Sequence, residues 1–332
     1  MPDITAEYRI IETAAGLVDR SHHGRLRFDG PDAQPFLQSL LTNDLAAMDE
    51  RRGLYAALLS PQGRMIADAR LFMRGDAVLA DVAPGTAAAL AARLDALIFS
   101  EDVRVTDVTA GTAVVVVAGT AAPEVVARAF DLDAQLLDAL APLHQVPARA
   151  GAWIVRSDES ARAMFDVWVD AADREATSAR LTGAGAVPVS RDLADLLRIE
   201  AGRPAFGVDM TTDTIPLEAG LLDRAISTTK GCYVGQEVII RVLHRGGGRV
   251  ARRLVQLVLD ASAAGTDVPA PGTPIARDGA DVGRITSAAW SPAAGRVVAL
   301  GYVARDQATA GARCHVAMPA GEAGAEITGL AG

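Results

Sequence analysis

Short apolar segments with strand and helix periods alternate along the first part of the chain. The apolar runs Leu54 to Leu59 and Met65 to Met73 flank Ser60-Pro61-Gln62-Gly63-Arg64, and this arrangement predicts a β-hairpin. Thr86 to Leu97 has the apolar spacing and alanine content of a helix. Another helix is predicted after Asp32, its expected cap, because four apolar residues share one face. These residues are Phe36, Leu37, Leu40 and Leu41.

The middle of the chain continues this alternation of short strands and helices. Strands are predicted at 103–105, 114–118, 153–155 and 165–169, and helices at 124–129, 174–183 and 191–200. Such interleaving indicates an α+β or split βαβ sheet, and two similar units packed together fit the pattern.

After Gly246-Gly247-Gly248 the pattern changes to short strands separated by Gly/Pro-rich turns, which is typical of a small β-barrel or sandwich. We therefore place a domain boundary at the three glycines. The predicted domains are a discontinuous α+β domain (1–45 and 110–245), a second α+β domain (46–109) and a C-terminal β-barrel (246–332).

Composition restricts the class of protein. A chain of 332 residues that is 50% hydrophobic has the size of two or three domains. It contains no apolar run of membrane-spanning length, and Met1 to Arg20 lacks the layout of a secretory signal, so we expect a cytoplasmic protein without a membrane partner. Two cysteines, Cys232 and Cys314, are too few for a disulfide framework or a complete metal site, and we predict no metal.

The net charge of −9 argues against nucleic-acid binding, because such surfaces need clustered cations. Arginines at 241, 245, 249, 252 and 253 form a local exception. A solvated hairpin face is the favoured interpretation of this run, and a site for a polyanionic tail is the alternative.

Cys232 is the first candidate for chemistry. Lys230 lies two positions before it and is the only lysine among 32 cationic residues. A nearby ammonium favours the thiolate, and glycines leave a sulfur accessible, so Cys232 is a candidate reactive or ligating thiol. A buried, inert cysteine beside a tight turn is an equally weighted alternative from the residues alone.

Asn43, the only asparagine, follows the first predicted helix. It is interpreted either as a left-handed helix cap or as an amide that binds a heterocycle edge. Asp68 lies inside an apolar strand, where alternation permits either a solvent-facing carboxylate or a buried one that needs a donor such as a ligand amine. Glu200 lies near a helix C-terminus, where a carboxylate is electrostatically unfavourable, and this weakly favours a ligand contact.

The run Lys230-Gly231-Cys232-Tyr233-Val234-Gly235-Gln236-Glu237, followed by Arg241 and Arg245-Gly246, resembles the signature of the YgfZ family of folate-binding relatives of the glycine-cleavage T-protein. Further segments occur in the order seen in that superfamily: Leu41-Thr42-Asn43-Asp44, Tyr55, Asp68, Arg198-Ile199-Glu200-Ala201-Gly202 and Pro216-Leu217-Glu218. The resemblance implies an α+β fold with two ferredoxin-like α+β domains around a central folate cavity and a C-terminal small β-barrel.

The resemblance also implies roles for individual residues. Asp68 matches the aspartate beside the folate and Glu200 matches the glutamate that pairs with the pterin, where a carboxylate accepts two N–H bonds at once. Asn43, Tyr55 and Arg198 are expected at the same tetrahydrofolate site. Cys232, with Lys230, matches the motif implicated in assembly or repair of iron–sulfur clusters, so iron–sulfur client enzymes are the expected partners.

One departure bears on activity. True T-proteins carry a Gly-Tyr-Thr-Gly-Glu segment, whereas the corresponding stretch here, from Asp158 to Phe165, has neither the tyrosine nor the glycines. This favours a folate-dependent accessory factor over an aminomethyltransferase. Asp68, which T-protein chemistry requires, keeps the enzyme as the alternative, and a non-catalytic binding module is a third hypothesis.

Overall fold

The structure, a computed structural model, describes residues 3–244, 247–261, 267–318 and 321–332. Arg245 and Gly246, on which the predicted barrel boundary and part of the arginine run fall, lie outside the described residues. The chain divides into two compact units. The first contains Met1–Leu58, Ala67–Ala194 and Ser227–Tyr233, and the second contains Leu59–Ile66, Asp195–Ile226 and Val234–Gly332.

A six-stranded sheet forms one half of the first unit. Its strands in spatial order are β11 (Ala186–Pro188), β1 (Ala15–Asp19), β7 (Thr112–Ala118), β10 (Met164–Asp170), β9 (Trp153–Arg156) and β8 (Gln145–Pro147). Only β1 and β11 pair in parallel among these described strands. Val115 and Val117 of β7 and Phe165 and Val167 of β10 are buried in one cluster with α4 (Ala122–Phe130).

A five-stranded sheet follows the order β3 (Leu54–Leu59), β4 (Met65–Arg74), β5 (Ala77–Val82), β2 (Gly24–Asp29) and β6 (Arg104–Asp107). Helices α2 (Ala33–Leu40) and α3 (Ala87–Asp95) cover one face. Phe36, Leu37 and Leu40 of α2 are buried as predicted. Asp32 occupies the N-cap position as predicted, but its carboxylate makes no cap bond and instead accepts from the Asp102 amide at 2.8 Å.

The pleat of β4 decides which way its polar residues point. Ala67, Ala69 and Leu71 line an apolar cavity of about 20 Å³ together with side chains of α2 and α3. Arg70 and Phe72 alternate with them, and Phe72 meets Trp168 of β10 edge-on at 5.6 Å. The face of β4 that carries Asp68, Arg70 and Phe72 is therefore the face that meets the six-stranded sheet.

A closed six-stranded barrel forms most of the second unit. Its strands in order are β12 (Arg252–Leu259), β15 (Arg296–Ala304), β14 (Ala280–Ser291), β13 (Pro274–Arg277), β16 (Arg313–Met318) and β17 (Gly321–Leu330). Alternate residues such as Val255, Leu257 and Val316 fill its interior, where Cys314 is also buried.

The remaining described helices are α1 (Ile4–Thr13), α5 (Ala134–Asp138), α6 (Arg174–Gly183), α7 (Arg191–Glu200), α8 (Leu222–Ala225) and α9 (Gln236–His244). Among the described residues, no helix is long and apolar enough to cross a bilayer. Two sheet-rich α+β parts and a C-terminal barrel confirm the predicted fold class. The predicted domain boundaries stay predictions, and β1 and β2, both within residues 1–45, lie in different sheets.

Candidate functional site

Tyr55 and Asp68 form a hydrogen-bonded pair in the first unit. The Tyr55 hydroxyl donates to Oδ2 of Asp68 at 2.6 Å. Tyr55 is buried, whereas Asp68 is partly exposed. Burial raises the pKa of Asp68, and the bond from Tyr55 acts in the opposite direction. The sequence left open which face of the sheet Asp68 occupies. The structure places its carboxylate on the inner face, where the Tyr55 hydroxyl is its hydrogen-bond donor.

Asn43 positions Tyr55 through the main chain. Its Nδ2 donates to the Tyr55 carbonyl at 2.8 Å, and its Oδ1 accepts from the Asp44 amide at 2.9 Å. Helix α2 ends at Leu41 in extended geometry (φ −92°, ψ 154°), and Asn43 is not among the residues of positive φ. The interpretation of Asn43 as a left-handed cap is therefore wrong.

A buried ionic network lies between the two sheets, on the same face as Asp68. Arg70 donates from Nη1 to Asp166 Oδ2 at 2.6 Å and from Nε to Asp81 Oδ2 at 3.0 Å. Arg20 holds both oxygens of Glu159, at 2.6 and 2.7 Å. Arg70, Asp81 and Asp166 are each less than 5% exposed, so the two sheets are joined by charges that have little access to water.

The network shifts the protonation of its own members and of Asp68. Burial acts to raise the pKa of Asp81, but Arg70 and His23 hold it well below its ordinary value. At Glu159 burial again acts to raise the pKa, but the nearby cations, Arg20 first among them, together outweigh burial and lower the pKa to about 2. At Asp166 burial prevails and the pKa is raised. His23 lowers the pKa of Asp68 and Glu159 raises it, so the network and Asp68 interact.

This network was not predicted from the sequence. Its signal was available in the strands, because each of three apolar strands carries a charged residue at a buried position: Arg70 in β4, Asp81 in β5 and Asp166 in β10. A charge inside an apolar strand needs a partner, and three such strands imply one shared network.

Lys230 is fixed by three backbone carbonyls. Its Nζ donates to the carbonyls of Gln38, Leu41 and Asn43 at 2.5, 2.6 and 2.9 Å. An ammonium has three N–H donors, so these bonds use all of them. Lys230 therefore has no N–H left to donate to Cys232, which is exposed.

Other members of the motif have local structural roles. Tyr233 is buried, its ring lies 5.4 Å from Lys230 Nζ, and burial raises its pKa to about 12. Gly235 adopts φ +82° immediately before Gln236, the first residue of α9. Glu237 accepts from Arg241 at 2.5 Å, one turn along that helix, and both side chains are exposed. Gly231 has open space around it.

Arg198 and Glu200 lie in the second unit, on α7. Arg198 donates to Asp209 Oδ2 at 2.7 Å, to Ser287 Oγ at 2.9 Å and to Asp195 Oδ1 at 2.6 Å, so its guanidinium already joins α7 to the barrel. Glu200 Oε1 accepts from the Ser291 hydroxyl at 2.6 Å. The predicted folate contacts of Arg198 and Glu200 stay predictions.

Within the described part of the chain, no cluster of three or more His, Cys, Asp and Glu side chains is arranged to hold a metal ion. The residues that the structure brings together are instead Asn43, Tyr55, Asp68 and Lys230. They can offer a carboxylate with a raised pKa, a phenol that donates to it and a fixed backbone behind both.

Similarity to known proteins was found in sequence and in structure. Residues 1–230 match the GCVT N-terminal domain, and residues 252–330 match the glycine cleavage T-protein C-terminal barrel domain. The chain is 30% identical to an aminomethyltransferase of Rubrobacter xylanophilus, covering 90% of this chain and 79% of that protein. It is 31% identical to one of Streptomyces avermitilis, covering 90% and 80%. The crystal structure of aminomethyltransferase T from Bartonella henselae superposes with a TM-score of 0.86 at 23% identity, covering 98% of this chain and 88% of that one.

Proposed function

Because the chain belongs to the glycine-cleavage T-protein family, we propose that it binds tetrahydrofolate, or a one-carbon derivative, at Asp68 and acts in the assembly or repair of iron–sulfur enzymes. Aminomethyltransferases of this family bind tetrahydrofolate. The observation that carries the proposal is the Asp68–Tyr55 pair, on a face of the sheet that also holds the buried ionic network.

The chemistry of Asp68 fits a folate. Its carboxylate accepts one bond from Tyr55 through Oδ2, and a carboxylate has about four lone-pair sites, so it can also accept N–H donors from a ligand. Because burial raises its pKa, the group is also suited to exchanging a proton with a bound amine. Asn43 fixes the backbone of Tyr55, and Tyr55 in turn orients the carboxylate.

Calorimetric titration with tetrahydrofolate under anaerobic conditions tests the binding site. We expect saturable binding by the wild type and binding at least about tenfold weaker in Asp68→Asn, since hydrogen bonds to a charged group contribute about 1.5–3 kcal/mol. Asp278→Asn is the matched control, because Asp278 is exposed on a barrel turn at φ +52°, which asparagine tolerates. Absence of binding by the wild type would refute the folate proposal.

Cys232 supports the iron–sulfur part of the proposal. It is exposed, it lies beside the anchored Lys230, and a thiol that receives or ligates iron must be reachable by a client protein. A single thiol cannot complete a cluster site, so the remaining ligands come from the client.

Complementation of a deletion strain, read as the activity of an iron–sulfur enzyme, tests the role of the thiol. Cys232→Ala is expected to fail. Cys314→Ala is the matched control and is expected to succeed, because Cys314 is buried in the barrel. If Cys232→Ala restores activity as well as the wild type does, this part of the proposal is wrong.

A second candidate function is transfer of the carbon of an aminomethyl group from a lipoyl-carrier protein to tetrahydrofolate, with release of the nitrogen as ammonia. The names of the relatives and the Asp68–Tyr55 pair favour it. This function predicts that the wild type forms methylene-tetrahydrofolate in a reconstituted glycine-cleavage assay and that Asp68→Asn does not. No turnover with any lipoyl carrier would remove this candidate.

A further inference from the structure

The end of helix α2 is closed by a side chain from a distant part of the sequence. The last carbonyls of a helix have no partner within the helix, and their partial negative charge favours a cation. Lys230, 187 residues after Asn43, supplies an ammonium to the carbonyls of Gln38, Leu41 and Asn43. This fixes the position of the segment that carries Cys232 two residues later.

The segment 41–44 is also held from its other side, by strand β3. The Thr42 amide donates to the Ala57 carbonyl at 3.0 Å, and the Ala57 amide donates to the Thr42 hydroxyl at 2.9 Å. The Ser227 amide donates to the Thr42 carbonyl at 3.0 Å, on the side of Lys230. Thr42 is fully buried, so the segment 41–44 lies between β3 and the residues that precede Cys232.

We infer that Lys230 is a positioning residue that couples the Cys232 loop to Asp68. The connection runs from Lys230 Nζ to the Asn43 carbonyl, from the Asn43 side chain to the Tyr55 carbonyl, and from the Tyr55 hydroxyl to Asp68. A ligand that moves or charges Asp68 therefore changes the exposure or reactivity of Cys232. The inference rests on the proposed function only in taking folate as that ligand.

The geometry also explains why this position is a lysine in a chain that otherwise uses arginine. Three carbonyls converge on one point, and a compact ammonium with three donors fits them, whereas the donors of a guanidinium are spread over a planar fork. Lys230→Arg therefore retains the charge but not all of the bonds.

Amine labelling without folate tests the carbonyl cage itself. Since Lys230 is the only lysine, its peptide reports one ε-amine, and an Arg27→Lys variant adds an exposed ε-amine in the same unit as a reference. The label is an amine-selective acylating reagent. Burial lowers the pKa of Lys230 to about 8 and so increases the reactive fraction of its amine, and each labelling rate is therefore divided by the deprotonated fraction found from its own pH profile. We expect this corrected rate to be at least about tenfold lower for Lys230 than for the reference amine, because the Lys230 nitrogen is held against three carbonyls. Equal rates would overturn the inference.

Alkylation of Cys232 by iodoacetamide, with and without saturating tetrahydrofolate, tests the coupling. We expect folate to change the alkylation rate of the wild type by about threefold or more, which is within the usual size of such couplings. In Lys230→Met we expect the ratio of the rates with and without folate to be near one. Lys230→Arg should restore part of the ratio, and Arg27→Met should keep all of it.

Each outcome decides the inference. An unchanged ratio in Lys230→Met, or a ratio of one in a folate-binding wild type, overturns it. If Lys230→Met fails to fold, a full wild-type ratio in Lys230→Arg overturns it and a reduced ratio supports it. A wild type that does not bind folate contradicts the proposed function instead, and the labelling experiment still decides whether the cage exists.

Discussion

Removal of the Arg70 charge tests whether the buried network stabilises the first unit. Arg70→Met keeps much of the side-chain volume but leaves Asp81 and Asp166 facing each other across the two sheets. Both carboxylates are almost fully buried, at 2% and 0% exposure. Breaking a buried pair by removing one partner costs about 3–5 kcal/mol. Arg20 remains 3.6 Å from Asp81 and 3.7 Å from Asp166, which places the expected loss near the lower limit, at about 3 kcal/mol.

The pH dependence of this loss identifies its cause. In the wild type the pKa of Asp81 is depressed, so its stabilisation is present above the unfolded pKa near 4 and is lost only as the pH falls well below it. Without Arg70, we expect burial to outweigh the remaining effects of His23 and Arg20 and to raise the pKa of Asp81 above the unfolded value. The folded variant then holds protons that the unfolded chain releases, and its stability falls as the pH increases. The loss caused by Arg70→Met is therefore larger at pH 7 than at pH 5, by at most about 1.4 kcal/mol for each pH unit of that interval that lies below the pKa of Asp81 in the folded variant.

Urea unfolding followed by tryptophan fluorescence measures this loss. In a Trp290→Phe background the signal comes only from Trp153 and Trp168, the two tryptophans of the first unit. Arg27→Met is the control, because its pair with Asp29 is about 40% exposed and is expected to contribute less than about 0.5 kcal/mol. A loss below about 1 kcal/mol at pH 7, or an equal loss at both pH values, would refute the argument.

Two further predictions concern the motif. Gly235→Ala is expected to destabilise the second unit by about 2 kcal/mol more than Gly311→Ala, as measured by urea unfolding. The φ angles of the two glycines are almost equal, at +82° and +81°. Only at Gly235, however, would an added Cβ meet another atom, the Ser60 carbonyl oxygen at 2.5 Å. Equal costs would show that the contact is irrelevant. Burial raises the pKa of Tyr233 to about 12, so it stabilises the fold below the unfolded pKa of 10 and this contribution is lost as the pH rises toward 12. Tyr233→Phe should remove that part of the pH dependence in unfolding curves, and a curve of unchanged shape would contradict the prediction.

Periodicity predicted most of the fold because it reports directly which face of an element is buried. The predicted hairpin is β3 and β4, and the predicted helix at 86–97 is α3 at Ala87–Asp95. Local signals for helix ends were less reliable. Asp32 has the residue type of a cap, but the amide of Asp102, seventy residues away, binds its carboxylate. Such a partner is brought close only by tertiary structure, and spacing along the chain cannot predict it.

The same limit applied to the candidate site. The sequence singled out Asn43, Tyr55, Asp68 and Lys230 separately, but it did not predict that they form one hydrogen-bonded series. For Asp68, alternation left two faces open, and only the structure places its carboxylate against the hydroxyl of Tyr55 on the neighbouring strand β3. The ionic network was missed because its charges lie on three separate strands, and their pairing appears only when those strands are placed together.

The positions of the only asparagine and the only lysine in the chain have a physical basis in this hydrogen-bonded series. Asn43 donates from Nδ2 to one carbonyl and accepts at Oδ1 from one amide. An aspartate has the same shape but only acceptors, so it would repel the Tyr55 carbonyl. Lys230 meets three carbonyls that converge on one nitrogen, and a compact ammonium with three N–H donors fits them better than a planar guanidinium does. An aspartate at position 43 would leave a backbone group without its hydrogen-bond partner, and an arginine at position 230 would fit the three carbonyls less well. Both positions therefore help to place Tyr55, which holds Asp68.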